Sequence, residues 1–298
     1  MPSPLFTGCA AALVTPFCKD GTLDTKALLR LIVMQKNAGM DAIVLLGTTG
    51  EASTLSMQER ERVISLGVEA IDDTMPVIVG TGSNDTRRAI EYARQAKALG
   101  ADGQLCVTPY YNKSTQQGLI RHFATIAECC DLPMILYNVP SRTGMTLTPE
   151  TAKTLTAHPR IVGLKEASGD VSLSARIMEA TAGSLPIYAG NDDLILPLMA
   201  QGAQGAISVI ANMLPVQTKA ITQSCLSGCF SQAQDAQNTL LPLIHALFSQ
   251  VNPIPIKAAL YEMGLIEDAL RLPLTPMEEP FRSKLISLMK EMHLINNP

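Results

Sequence analysis

Short apolar runs alternate with longer amphipathic segments through the first three-quarters of this 298-residue chain. The short runs, rich in Val, Ile and Leu, are apolar at consecutive positions rather than at every second one. That is the pattern of strands covered on both faces of a parallel sheet. They fall at residues 10–14, 42–46, 77–79, 104–107, 134–137, 161–164, 187–189 and 206–209. The segments between them carry helix signals. Asp24 is placed to cap a helix that stops near Ala38-Gly39, and Asn84 to open one that stops at Leu99-Gly100. Thr148-Pro149 puts proline at a first helical position.

The expected strand ends, at Thr15, Gly47, Gly80, Val107, Tyr137, Lys165, Gly190 and Ser208, lie roughly 18 to 33 residues apart. This is the repeat of a βα unit with a right-handed crossover. Eight such units predict an α/β fold, a closed (β/α)8 barrel, over residues 1–228. A doubly wound open sheet is the competing architecture. Its glycine-rich first turn is missing, since the chain has Thr15-Pro-Phe-Cys18 there and Gly47-Thr-Thr-Gly50 is not GxGxxG. Beyond Leu226 the strand pattern stops. Helices are expected at 230–250, 254–263 and 278–293, with Pro253, Pro255, Pro273 and Pro276 at the joints. Residues 229–298 thus read as a helical appendage that covers the barrel or meets another subunit.

Composition narrows the functional classes. Hydrophobic residues make up 47% of the chain and charged residues 17%, enough for a large core. A net charge of −4 without like-charge runs, few aromatics and no Trp argue against nucleic-acid binding, and no apolar run reaches membrane length. The seven cysteines form no CxxC pair and the four histidines lie far apart, so no metal site is expected and the thiols suit a reducing cytoplasm. The start, Met1-Pro-Ser-Pro-Leu-Phe-Thr-Gly8, has no basic leader, in keeping with a cytoplasmic protein.

In a (β/α)8 barrel the C-terminal strand ends converge on one mouth. There the sequence places Thr48-Thr49, Tyr110-Tyr111, Tyr137, Arg142 and Lys165. Burial of Lys165 at an apolar strand end strips hydration from its ammonium, lowers its pKa and leaves the free amine that Schiff-base chemistry uses. Singly, each residue has a plainer reading. A strand-end lysine can snorkel into water, Thr48-Thr49 can cap a helix, Tyr137 can be a core residue, Tyr110-Tyr111 can pack at the rim, and Arg142 can pair with a surface carboxylate. Facing one mouth together, they suit an anionic carbonyl compound.

Gly47-Thr-Thr-Gly-Glu51, Tyr137-Asn-x-Pro-x-Arg-Thr-Gly144 and Gly163-Leu-Lys-Glu-Ala-Ser168 closely resemble the dihydrodipicolinate synthase family of pyruvate-dependent class I lyases, and the resemblance spans essentially the whole chain. It implies condensation of pyruvate with L-aspartate 4-semialdehyde through an imine on Lys165, the first committed step toward diaminopimelate and lysine, without a cofactor. It further implies Tyr137 as general acid/base, with Thr48 and a Tyr111 contributed by the partner subunit as proton relay. Thr49 holds the pyruvate carboxylate, Arg142 clamps the semialdehyde carboxylate, and Gly190 and Ile207 line the pocket. A homotetramer of two tight dimers follows from the same resemblance.

Family members often carry a lysine effector site, here near Ala52, Ser53, Met57, Arg60, Asn84, Arg88 and Tyr110. Arginines at 60 and 88 would repel a lysine ammonium, so weak or absent lysine inhibition is expected; the plainer reading sends both arginines into solvent. Two rival functions remain in view. Sugar-acid lyases use the same imine but usually lack the Arg142 clamp, and a non-catalytic barrel would have no need of the intact set. Pyridoxal phosphate, which also binds lysine, needs a phosphate cradle that the turns after strands seven and eight do not offer.

Overall fold

The computed structural model describes residues 4–296; residues 1–3, part of the stretch read for a leader, lie outside them. Eight parallel strands close into a barrel in chain order: β1 (Gly8–Ala12), β2 (Ala42–Leu45), β3 (Val77–Gly80), β4 (Gly103–Val107), β5 (Met134–Asn138), β6 (Ile161–Glu166), β7 (Ile187–Ala189) and β8 (Gly205–Ser208). β8 pairs back on β1. All eight expected strands are present, β7 with the expected bounds and the others with ends shifted by one or two residues. β1 starts and stops two residues early, because the Val14 N–H turns to Asn212 Oδ1 at 3.0 Å. β6 runs on to Glu166, so Lys165 sits within its strand.

Helices α1 (Thr25–Asn37), α2 (Met57–Ile71), α3 (Thr86–Ala98), α4 (Gln116–Cys129), the single turn α5 (Pro140–Thr143), α6 (Pro149–Leu155), α7 (Val171–Ala180), α8 (Ile195–Ala200) and α9 (Pro215–Leu226) lie between the strands in sequence or just after the last of them. Asp24 caps α1 by accepting from the Ala27 N–H at 2.9 Å, and Thr148 caps α6 with Pro149 in its first turn. α3 opens one residue later than expected. Asp85, not Asn84, accepts from the Arg87 N–H at 3.0 Å, and its carboxylate suits the positive end of the helix dipole. The Asn84 carbonyl is instead engaged by the Asn112 side chain at 3.0 Å.

Apolar burial forms two layers. The larger lies between the strands and the surrounding helices, and the smaller fills the barrel with Ala10, Val44, Ile78, Leu105, Ile135 and Ile207. Phe6 stacks on Tyr188 at 4.4 Å and accepts the Tyr188 hydroxyl on its carbonyl at 2.7 Å, packing the barrel interior. Bulky interior layers make such a barrel a packed core rather than a pore.

Three further helices follow: α10 (Phe230–Leu247), α11 (Ile254–Glu262) and α12 (Glu279–Glu291). They are tied to the mouth by a fully buried ion pair. Lys257 Nζ of α11 lies 2.6 Å from Glu51 Oε1 and donates to the Thr15 carbonyl at 3.0 Å, while Glu51 Oε2 accepts from the Arg271 N–H at 3.0 Å. The Phe17 ring lies 4.3 Å from that ammonium. Among the described residues no helix is long and apolar enough to cross a membrane.

Candidate active site

The site is set by how β5 and β6 pair. Met134 faces Ile161, but Ile135 faces Gly163, so the register slips by one residue at Val162. After the slip Tyr137 is level with Lys165, and residues paired in parallel strands point to the same side. Both side chains therefore enter the barrel mouth, with Lys165 Nζ 4.6 Å from the centre of the Tyr137 ring. Two glycines make the space. A Cβ on Gly163 would lie 2.9 Å from the Tyr188 ring, and one on Gly190 would lie 2.6 Å from the Ala167 Cβ and 3.1 Å from Lys165 Cε.

Lys165 is buried, and loss of hydration brings its pKa down to about 8; the Asp192 carboxylate opposes that shift and Arg142 adds to it. Asp192 is itself buried and held by the Val209 and Ile210 N–H groups at 3.0 and 2.8 Å. Burial pushes the Tyr137 phenol up, against the pull of Arg142 and of a hydrogen bond with Thr48. Tyr137 therefore stays a neutral phenol beside an amine that is partly free at neutral pH. Behind them, Glu166 accepts from Asn138 Nδ2 at 2.8 Å and from the Ser168 N–H at 2.6 Å, which locks the tips of β5 and β6 together.

The turn after β2 carries Thr48 and Thr49 in a short 3-10 segment, Thr48–Gly50, whose end residue Glu51 adopts a left-handed conformation with φ 49°. The buried Lys257 pair fixes that residue. Thr49 Oγ1 accepts from Asn252 Nδ2 at 2.9 Å, and the Asn252 carbonyl accepts from an Arg142 Nη at 3.0 Å. One residue of the connection between α10 and α11 thus joins Thr49 to the arginine at the rim.

Two adjoining cavities open here. A cleft of about 340 Å³ is lined by Thr49, Tyr137, Arg142, Lys165, Gly190 and Asn252 among others. A second, of about 350 Å³, is lined by Thr48, Ser53, Arg60, Tyr92 and Tyr110 and meets the first at Tyr137, Val139 and Arg142. Ile207 is sealed in the barrel interior, and the residue on the cleft wall just past β8 is Val209. Tyr111 stands away from both cavities, 91% exposed, in a left-handed conformation with φ 68°.

The expected effector residues divide. Ala52, Ser53, Arg60 and Tyr110 share the second cavity, whereas Asn84 lines a separate surface hollow near His122 and Arg88 pairs with Glu91 at 2.7 Å on the exposed face of α3. Met57 is at the surface and lines neither cavity. The solvent-facing reading holds for Arg88 and fails for Arg60, which is 1% exposed. Tyr92 explains the difference, because its ring offers the Arg60 guanidinium a face at 3.9 Å.

Sequence reasoning did not single out Asn252, Lys257 or a role for Asp192. Lys257 had a usable signal, a lone charge inside the apolar run Ile254-Pro-Ile-Lys-Ala-Ala-Leu260. Asn252 had none, because an asparagine before proline reads as a turn.

A closed (β/α)8 barrel with a desolvated lysine and a neutral phenol at its mouth defines a barrel enzyme that works through an amine nucleophile. The sequence matches the family described as Dihydrodipicolinate synthetase family over residues 5–292, and the chain belongs to that family. It is 47% identical over 291 residues to 4-hydroxy-tetrahydrodipicolinate synthase of Alkaliphilus oremlandii, covering 98% of this chain and 100% of that one. The same enzyme of Exiguobacterium sibiricum is 47% identical over 286 residues, 96% of this chain and 98% of its own. Among solved structures, the chloride-inhibited dihydrodipicolinate synthase of Acinetobacter baumannii in complex with pyruvate superposes with a TM-score of 0.95 at 45% identity, covering 97% of this chain and 99% of that one. Dihydrodipicolinate synthase of Thermotoga maritima gives a TM-score of 0.95 at 42% identity, with 98% and 100% covered.

Proposed function

We propose that this enzyme is a lyase that condenses pyruvate with L-aspartate 4-semialdehyde to 4-hydroxy-tetrahydrodipicolinate. The observation that carries the reading is the buried Lys165 amine, held level with Tyr137 at the mouth of a barrel of this family. The free amine adds to the ketone of pyruvate. Tyr137 donates its proton to the carbinolamine oxygen, water leaves, and an imine links Lys165 to the substrate. The protonated imine draws electrons from the methyl group, which loses a proton to the tyrosine system and becomes an enamine carbon. That carbon attacks the aldehyde. The amine of the joined chain then displaces Lys165 by transimination and closes a six-membered ring.

Thr49 is the natural seat for the pyruvate carboxylate and Arg142 for the semialdehyde carboxylate, to which its guanidinium offers a two-pronged fork. Thr48, whose hydroxyl pulls the Tyr137 pKa down, passes protons outward. Tyr111 completes that relay from a neighbouring subunit. Its support is an exposed ring on a left-handed residue, an uncommon backbone state for a bulky side chain. A homotetramer of two tight dimers and a cytoplasmic location belong to the same reading. So does a division into a catalytic barrel, residues 1–228, and a helical unit, residues 229–298, that supplies Asn252 and Lys257.

Borohydride reduction in the presence of pyruvate should fix one pyruvate-derived group on Lys165, read by peptide mass spectrometry. Label elsewhere or nowhere overturns the imine. Turnover with aspartate semialdehyde should exceed turnover with sugar aldehydes; the reverse order makes the protein a sugar-acid lyase. Tyr111→Phe should lose most turnover while still trapping the imine.

A further inference from the structure

The wall of the catalytic cleft carries one carboxylate that neither the imine nor the arginine clamp uses, that of Asp193. Two other acids stand behind the wall, but Asp192 and Glu166 are buried and their oxygens are taken by N–H groups. Asp193 is exposed, and among the described residues no side chain or N–H group pairs with its carboxylate. Its mount is rigid. It sits in the short 3-10 segment Asp192–Leu194 that follows β7. On one side the Asp192 side chain is tied to the turn after β8, and the Asp192 carbonyl accepts from Gln237 Nε2 of α10 at 2.9 Å. On the other the Leu194 N–H donates to the Asn191 carbonyl at 3.1 Å. In barrel order β5 and β7 flank β6, so Arg142 and Asp193 come from the two strand ends on either side of Lys165.

We propose that Asp193 is a specificity-determining residue that receives the α-ammonium of the aldehyde substrate, so that the cleft selects an L-amino aldehyde over its des-amino counterpart. This rests on the reading of the second substrate as aspartate semialdehyde. An α-amino acid bears its carboxylate and its ammonium on one carbon. Arg142 takes the first and Asp193 the second, and the remaining arm then carries the aldehyde toward the carbon held on Lys165. Three fixed points define one hand of the substrate, because the mirror image would present a hydrogen where the carboxylate waits. A carboxylate on a rigid mount loses little freedom on binding, and the pair strengthens as the filled cleft sheds water.

Turnover of L-aspartate semialdehyde by the wild type is the reference, and its absence would defeat the condensation reading itself. Asp193→Asn should raise the KM for that aldehyde about 3- to 10-fold, between the worth of an exposed ion pair and that of a charged hydrogen bond. The KM for pyruvate and borohydride trapping on Lys165 should not change. Succinate semialdehyde lacks the amine, so as an inhibitor it should show the same Ki with the wild type and with Asp193→Asn. The preference for the L over the D aldehyde should narrow in Asp193→Asn, and Asp193→Glu, which keeps the charge, should recover part of the loss. An unchanged aldehyde KM in Asp193→Asn, or equal weakening of aspartate semialdehyde and succinate semialdehyde, overturns the assignment and leaves the imine chemistry in place.

Discussion

Asn252 Nδ2 donates to Thr49 Oγ1 at 2.9 Å across 203 residues of chain, and the carbonyl of the same asparagine holds Arg142. The two proposed carboxylate-binding positions are therefore set by one residue from the helical region. Asn252→Ala removes the amide and leaves the carbonyl. The KM for pyruvate should rise about 5- to 20-fold, the equivalent of one hydrogen bond near 1–2 kcal/mol, with smaller loss in the aldehyde-dependent step. Steady-state kinetics with each substrate varied in turn would show this; an unchanged pyruvate KM would mean that Thr49 needs no support.

In the proposed mechanism Lys165 reacts as the free amine, so a pKa of about 8 makes imine formation rise with pH and level off above that value. About one amine in ten is free at pH 7 on that basis. Asp192 favours the ammonium form, so Asp192→Asn should move the acid limb of kcat/KM for pyruvate to lower pH. Both the Val209 and Ile210 N–H groups donate to Oδ2, so the amide oxygen can keep them. The amide NH2 then meets the Val209 N–H that approaches Oδ1 at 3.2 Å, which costs roughly 1–3 kcal/mol of stability. An acid limb that stays put or moves upward refutes the electrostatic account of the lysine.

Arg142→Lys keeps a positive charge but gives up the planar fork. Aldehyde KM should rise roughly 10- to 100-fold, about 1.5–3 kcal/mol, while pyruvate is still trapped on Lys165 by borohydride. Equal losses for both substrates would place Arg142 in the imine-forming step instead.

The Lys257–Glu51 pair is 0% and 1% exposed, so breaking one half strands the other in the core. Lys257→Met should cost about 3–5 kcal/mol, seen as a lower Tm and a lower denaturant midpoint. The double change Lys257→Met with Glu51→Gln should cost less than the single one, because no unpaired charge remains. A double variant worse than the single would show that Glu51 matters more through its contact with the Arg271 N–H than through its pairing with Lys257.

The barrel was legible because burial on both strand faces leaves continuous apolar runs that need no tertiary context, as in 134–137 and 187–189. Lys165, Tyr137 and Thr48 were legible because strand ends carry them to one mouth. The register slip at Val162, which brings Lys165 level with Tyr137, leaves no mark in local pattern. Contacts between distant segments were equally silent. Nothing near Thr49 announces Asn252, and nothing near Glu51 announces Lys257. The solvent-facing alternative for Arg60 could not be dismissed from the sequence, because its stacking partner, Tyr92, lies one helix away on α3.

The ties from Thr49 to Asn252 and from Glu51 to Lys257 also bear on synthesis, which proceeds from the N-terminus. All eight strands have left the ribosome before either partner has been made. The mouth is thus finished last, by the final fifth of the chain, and until that segment docks a nascent barrel carries its lysine beside an unsupported threonine turn. Abortive products ending near residue 228 would carry the whole sheet and its lysine, yet leave the threonine turn without its two anchors.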